Sequence, residues 1–424
     1  MPSSSADSPL LATATGLDVR PFRALTYRRR DPDALARVSS PAYDLVTPEG
    51  RERLTAADPH NIVRLILPVV ASGPDGARPV EQAARTLHEW QRTGVLERDG
   101  EPALWVYAMH PADGAPATVG WLAAVGLPPD GSRAVLPHED TFPVAVEGRR
   151  ALLEATATDL EPIVLAHDPH PAVPALTAAA QQGAPTLELT DADGVRHSLW
   201  RVPDPTTIEQ VTAALADTGA VIADGHHRFA AARAHGAATI LALLTSMGPG
   251  GLRVNPIHRV VPGLPLTEAL AAASAGFRAT ELPVGDDGPA PAVRRWLADP
   301  GEAGMVVSDG RRLVRLDTPS SDVCDAVPAD APAAWRGLDV VLAHHGLVQQ
   351  MWGRTDDPDG VHIAHSIEEA LDGAPARHGV AVLLRAASPA DVAAVARAGA
   401  RMPRKSTLFV PKPRTGLVLR PHAD

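Results

Sequence analysis

A mixed α/β (α+β) fold is predicted for this 424-residue chain, on three observations. Short apolar runs alternate with segments of helical spacing through most of the sequence, as in proteins that pack helices on a sheet. The turn pairs Asp113-Gly114 and Asp193-Gly194 each lie between apolar runs, which makes part of the sheet antiparallel hairpin. Hydrophobic residues at 45% and charged residues at 21% are ordinary globular usage.

The elements follow from local signals. Thr47-Pro48-Glu49 reads as a cap with Pro at the first helical position, opening a helix that stops before Pro59. Asn61–Leu67 reads as an apolar strand, residues 72–79 as a Gly/Pro loop, and Val80–Thr93 as an amphipathic helix ended by Gly94. Ala103–Met109 and Val119–Leu127 read as paired strands, followed by a loop at Pro137–Thr141. A helix near Glu147–Thr158, a strand at Pro162–Ala166 and a hairpin over Leu187–Val202 come next. A helix at Thr206–Ala216 leads to the strand Ala220–Ala223, a turn at Asp224–Arg228, a helix ending near Gly236 and a strand at Ala238–Thr245. Beyond Pro265 the pattern gives helices at 266–275, 290–298, 337–352 and 389–398. The strands there fall at 304–307, 312–316, 379–385 and 406–411, with a Pro/Ala/Asp linker at 318–334. The expected organisation is a disordered tail over 1–17, an α/β core over 18–264, and a C-terminal α+β region over 265–424. The last strand segment of that region, 401–420, is expected to return to the core.

Composition narrows the function. One cysteine, Cys324, leaves no disulfide framework and no zinc site built on cysteine pairs. No run approaches a membrane span and the N-terminus has no basic start, so a cytoplasmic protein is expected. A formal charge of −11 argues against nucleic acid wrapped over the surface. Arginine outnumbers lysine 37 to 2, and both lysines, Lys405 and Lys412, fall in one C-terminal segment.

The strongest local signal is the strand, Gly turn and Ala-rich helix around Asp224-Gly225-His226-His227-Arg228. Free amides at such a helix start form an anion site, Gly225 permits positive φ, and Arg228 adds a guanidinium fork. Asp224 either caps the helix or helps a divalent ion beside bound phosphates. Equally, the residues form a plain cap with surface histidines and a neighbouring ion pair. Pro137-His138-Glu139-Asp140-Thr141 offers a general base or a solvated loop. Arg401-Met402-Pro403-Arg404-Lys405-Ser406-Thr407 offers three phosphate-neutralising cations and two hydroxyls, or a wet strand start. Tyr43-Asp44, Asn61 and Arg64 form a fourth candidate, because Arg64 on a buried strand needs a carboxylate or ligand partner.

Six ordered motifs carry a resemblance. They are Val19-Arg20-Pro21-Phe22-Arg23, Pro41-Ala42-Tyr43-Asp44, Asp58-Pro59-His60-Asn61, Pro137-His138-Glu139, Ile222-Ala223-Asp224-Gly225-His226-His227-Arg228 and Met402-Pro403-Arg404-Lys405-Ser406-Thr407. Together they resemble the bacterial and archaeal domain of unknown function 1015 family over essentially the whole chain after the tail. The Asp-Gly-His-His-Arg element also looks like that of the ParB/sulfiredoxin-like superfamily, including its free-serine kinases, where it cradles nucleotide phosphates. Sulfiredoxin places a cysteine in that motif and this chain does not.

The resemblance implies a nucleotide-dependent phosphotransferase acting on a small hydroxylated, serine-like metabolite, with ATP or ADP and Mg²⁺ as cofactors. In that reading Asp224, Gly225, His226, His227, Arg228, Arg404, Lys405, Ser406 and Thr407 bind the nucleotide, and Asp224 holds the metal. Glu139 is the base, assisted by His138 or His227, and Lys405 with Arg404 stabilises the transferred group. Tyr43, Asp44, Asn61, Arg64 and Arg23 face the substrate. Two alternatives are a metal-dependent hydrolase using His138, Glu139, Asp224 and His226, and a nucleotide-binding switch without turnover.

Overall fold

The computed structural model describes residues 16–69, 78–248, 251–299, 301–355, 360–403 and 405–422. Residues 1–15 of the expected tail, 72–77 of the expected loop, and Arg404 lie outside them. Leu17, placed in the tail from sequence, is buried in the protein. The chain forms two units: Met1–Leu136, Thr141–Gly251 and Pro411–Asp424 in one, Pro137–Asp140 and Leu252–Val410 in the other.

Nine strands of the first unit make one sheet. They are Val19–Arg20 (β1), Leu104–His110 (β2), Thr118–Gly126 (β3), Val135–Leu136 (β4), Ile163–His167 (β5), Leu187–Thr190 (β6), Arg196–Val202 (β7), Ala220–Asp224 (β8) and Thr239–Ser246 (β9). The order is β4-β8-β5-β9-β3-β2-β7-β6, with β1 against β3. The pairs β9–β5 and β8–β4 are parallel, and the β2, β3, β6 and β7 segment is antiparallel, as the two Asp-Gly turns require.

Period-two alternation sends successive side chains to opposite faces, and both faces are covered. From β2, β3 and β9, Trp105, Tyr107, Leu122, Leu241 and Leu243 enter one core, while Leu104, Val106, Trp121, Ile240 and Leu244 enter the other. Helix Pro143–Thr156 (α1) adds Leu152 to the first core and Leu153 to the second. Helix His226–His235 (α2) contributes Phe229 and Ala232 to the second.

The local expectation at Asn61 is overturned. The segment expected as the strand Asn61–Leu67 holds a single helical turn, Val63–Ile66. The Asn61 side chain accepts the Val63 N–H at 2.9 Å, starting a turn that the β-branched composition does not favour. Burial of Val63, Leu65 and Ile66 outweighs that local preference.

In the second unit, His258–Val261 (β10), Arg278–Leu282 (β11), Met305–Ser308 (β12), Leu313–Asp317 (β13), His362–Ala364 (β14) and Val380–Leu383 (β15) form a sheet. Its order is β11-β13-β12-β15-β10-β14. The expected helix at 337–352 is a turn over Asp339–Val341 followed by a wider i→i+5 spiral over Leu342–Met351. Leu408–Val410 pairs with Arg253–Asn255 in this unit. After Pro411 the chain lies in the first unit, where Arg420–Pro421 pairs with Thr158–Asp159.

Candidate functional site at the tip of α2

Buried Val221 and Ile222 carry β8 to the sheet edge, where the chain reverses at Gly225 with φ 94° and ψ 27°. A Cβ there would stand 2.7 Å from Ile163 Cγ2, so both the left-handed backbone and the close approach demand glycine. Helix α2 follows from Gly225, which as N-cap has no side chain, and its first intrahelical bond runs from Phe229 N–H to Gly225 C=O at 2.9 Å. The first turn thus begins at Gly225 with the positive end of the helix dipole there. His226 is buried. His227 is half-buried, its ring stacked on Phe142 with centroids 5.9 Å apart, and its Nε2 accepts the Phe142 N–H at 3.1 Å. That bond places an Nε2 lone pair against the amide, so the neutral ring carries its proton on Nδ1.

Beneath the tip lies a charge network. Asp224 Oδ2 is 2.6 Å from Arg228 Nη2, and Oδ1 is 2.7 Å from Lys412 Nζ. The same ammonium is 2.5 Å from Asp44 Oδ2. Arg228 also donates to the Pro162 carbonyl at 2.5 Å. Glu161, buried, accepts the Tyr43 N–H at 3.0 Å and the Thr415 hydroxyl at 2.9 Å. The Tyr43 ring receives two guanidinium groups, Arg149 at 4.3 Å and Arg228 at 5.8 Å from its centroid. Arg149 has no carboxylate partner among the described residues; it donates to the Ile66 carbonyl at 3.1 Å.

Titration follows from this packing. Burial pushes the Asp224 carboxyl up, but Arg228 and Lys412 overcome it and hold the group below the usual carboxylate range. Burial pulls Lys412 down, and Asp224 and Asp44 reverse it to leave the ammonium above its ordinary value. Arg228 is likewise desolvated yet raised by Glu161 and Asp224. All three groups stay charged at neutral pH. Behind the tip, Arg149, Asp159, Glu161 and Arg228 border a cavity of about 50 Å³ with Leu152 and Ala231, room for water-sized groups and too small for a nucleotide base.

The sequence-predicted residues divide. Asp224, Gly225, Arg228, Tyr43 and Asp44 come together here. Asn61 belongs to the fold instead of a ligand: its amide donates to the Arg37 and Ser39 carbonyls at 2.7 and 3.1 Å, and it is fully buried. Arg64 sits on the helical turn and donates to the Thr55 carbonyl at 2.9 Å, so the expected buried-strand charge does not arise. Arg23 Nε donates to the Asp99 carbonyl at 3.0 Å.

His138, Glu139, Lys405, Ser406 and Thr407 belong to the second unit. There His138 Nε2 meets Thr407 Oγ1 at 2.9 Å, and the Lys405 carbonyl accepts from Arg259 at 3.0 Å. Lys405 has φ 50° and an exposed side chain. Ser406 is buried, and its hydroxyl donates to the Pro403 carbonyl.

Two residues at the centre of the network escaped sequence reasoning. Lys412 had a signal, as one of only two lysines, but the neighbouring Lys405 drew the functional assignment. Glu161 had none, standing alone between a strand and a helix.

Asp224 as a magnesium ligand does not fit what surrounds it. Both its oxygens are taken, and the place between Asp44 and Asp224 where a cation would sit is filled by the Lys412 ammonium. Among the described residues no three His, Cys, Asp or Glu side chains gather as a metal cage. No helix among them is long and apolar enough to cross a membrane.

The family described as Protein of unknown function (DUF1015) matches residues 19–341. No curated protein matches the chain. Among solved structures, a free serine kinase variant in complex with ADP superposes with TM-score 0.37 at 12% identity, covering 71% of this chain and 93% of that one. SbnI with a C-terminal truncation, from Staphylococcus aureus, gives TM-score 0.37 at 14% identity, covering 71% and 88%. A conserved hypothetical protein from Pyrococcus furiosus gives 0.32 at 12% identity, covering 65% and 87%.

Proposed function

The chain belongs to the DUF1015 family, whose name assigns no activity, and from its own geometry we propose that it is a nucleotide-dependent phosphotransferase acting on a small hydroxylated metabolite. The observation that carries the reading is the glycine-opened start of α2 over a desolvated arginine and lysine. The amides of the first turn receive the nucleotide phosphates, as helix starts do for anions generally. Arg228, fixed by Asp224 and Pro162, supplies a positive field from behind. In the transfer, the acceptor oxygen bonds to the terminal phosphorus, the bridging P–O bond breaks toward the nucleotide, and the alcohol proton leaves to a base. Asp44, a third exposed, is the carboxylate of this tip that an incoming alcohol can reach. Glu139→Gln tests the base expected from sequence: retained transfer in that variant leaves Asp44 as the base.

The test is a thermal-shift series with AMP, ADP, ATP and CTP, followed by labelled-nucleotide transfer to a panel of hydroxylated acids that includes serine. A ligand held only by the native state raises the melting temperature. The expected result is a shift of several degrees with one nucleotide, lost in Arg228→Lys, which keeps the charge and removes the fork. No shift with any nucleotide overturns the proposal. A second reading, a nucleotide-binding protein without turnover, is favoured by one observation: Asp44, Asp224 and Glu161 are all engaged by protein groups. Saturable binding with no transfer to any acceptor selects it.

A further inference from the structure

Asp44 and Asp224 are contributed by segments 180 residues apart and point at one position. Two ionised carboxylates converging beside a phosphate site are electrostatically hostile to an anion. Proteins that place them there ordinarily neutralise them with a divalent ion shared with the phosphates. Here the shared cation is covalently part of the chain. Lys412 Nζ lies 2.5 Å from Asp44 and 2.7 Å from Asp224, and its side chain is only 9% exposed. An ammonium has three N–H donors, and the carboxylates take two of them. Among the described residues no third acceptor meets it, which leaves that N–H for a ligand oxygen.

We infer that the Lys412 ammonium is the built-in cation of this site, standing between Asp44 and Asp224 where a divalent ion would sit, so that a phosphorylated ligand binds at the tip of α2 without one. This rests on the phosphate-binding reading above, but its core, a two-carboxylate cage with a resident ammonium, does not. Removing the ammonium leaves a pair of desolvated carboxylates whose simplest relief is a metal ion. Lys412→Ala therefore converts the cage into a divalent-cation site.

The experiment has two arms on the full-length protein. In the first, the melting temperatures of wild type, Lys412→Ala and Lys412→Arg are measured in chelator, Mg²⁺ and Mn²⁺, with no nucleotide. The expected result is that Mn²⁺, and more weakly Mg²⁺, raises Lys412→Ala by several degrees and leaves wild type and Lys412→Arg unmoved. In the second, ADP affinity is measured under the same conditions. Wild type is expected to bind equally with and without Mg²⁺. Lys412→Ala is expected to weaken by roughly 10- to 100-fold in chelator, the scale of losing one desolvated charge contact, and to recover with the metal.

A wild-type affinity that requires Mg²⁺ overturns the inference, as does a Lys412→Ala protein indifferent to divalent ions in the first arm. Absence of ADP binding under every condition overturns the proposed function instead, and the first arm still decides the cage. Should Lys412→Ala fail to fold, Lys412→Gln preserves most of the side chain without its charge and carries the same comparison.

Discussion

Gly225→Ala puts the tip geometry to a quantitative test. At φ 94° an L-residue occupies the left-handed side of the map, which costs about 1–2 kcal/mol. The added methyl would also stand 2.7 Å from Ile163 Cγ2, 3.0 Å from Ile163 Cβ and 3.2 Å from Arg228 Nη2. Ile163 is fully buried on β5 and has no room to retreat, so overpacking adds about 1–3 kcal/mol. The two effects together come to roughly 2–5 kcal/mol. Urea titration followed by tryptophan fluorescence reads the loss as a lower midpoint at unchanged slope, Trp105 and Trp121 being buried in the first unit's sheet. Gly100→Ala is the control, since a Cβ at Gly100 meets nothing within 4 Å. A cost below about 1 kcal/mol for Gly225→Ala would refute the reasoning, because neither the positive φ nor the contact with β5 could then be real.

Three further outcomes are expected. Asp224 has a folded-state pKa below its unfolded value, so its contribution is complete above the ordinary carboxylate range and lost as pH falls through the folded pKa; wild type should lose stability on acidification more steeply than Asp224→Asn, and parallel acid curves would contradict this. Asp339 is the opposite case: burial raises it to about 6, with Arg385 opposing, so its ionisation disfavours folding as pH rises through that value. Asp339→Asn should stabilise the second unit at pH 8 by at most about 3 kcal/mol and not at pH 4, where a pH-independent effect would contradict the assignment. Asn61→Ala removes three hydrogen bonds, two of them buried, and strands their partners, which should lower stability by about 3 kcal/mol in urea titration, whereas a loss of nucleotide affinity at unchanged stability would return Asn61 to the substrate.

What could be read from the sequence is what local chemistry determines. The run Val221-Ile222-Ala223, a glycine and an Ala-rich segment specify strand, left-handed turn and helix with no help from the rest of the chain. The hairpins were legible for the same reason, because Asp-Gly pairs dictate their own turn. The network under the tip was not, since Asp44, Glu161, Asp224 and Lys412 come from four segments joined only by tertiary folding. Lys405 and Lys412 differ by seven positions, yet the chain passes from one unit to the other between them. Their separate fates depend on that crossing, which no local pattern encodes. Asn61–Leu67 failed for a related reason: β-branched residues favour strand, but one asparagine bonding locally and a buried neighbourhood select a helical turn.

The most direct test of a phosphate-receiving helix tip is to watch its amides. With ¹⁵N-histidine labelling, the backbone signals of His226 and His227 can be followed while ADP is added to the full-length protein. Saturable shifts at these two positions, larger than at the histidines of the second unit, are the predicted result. Nucleotide binding that leaves both signals in place would contradict the account.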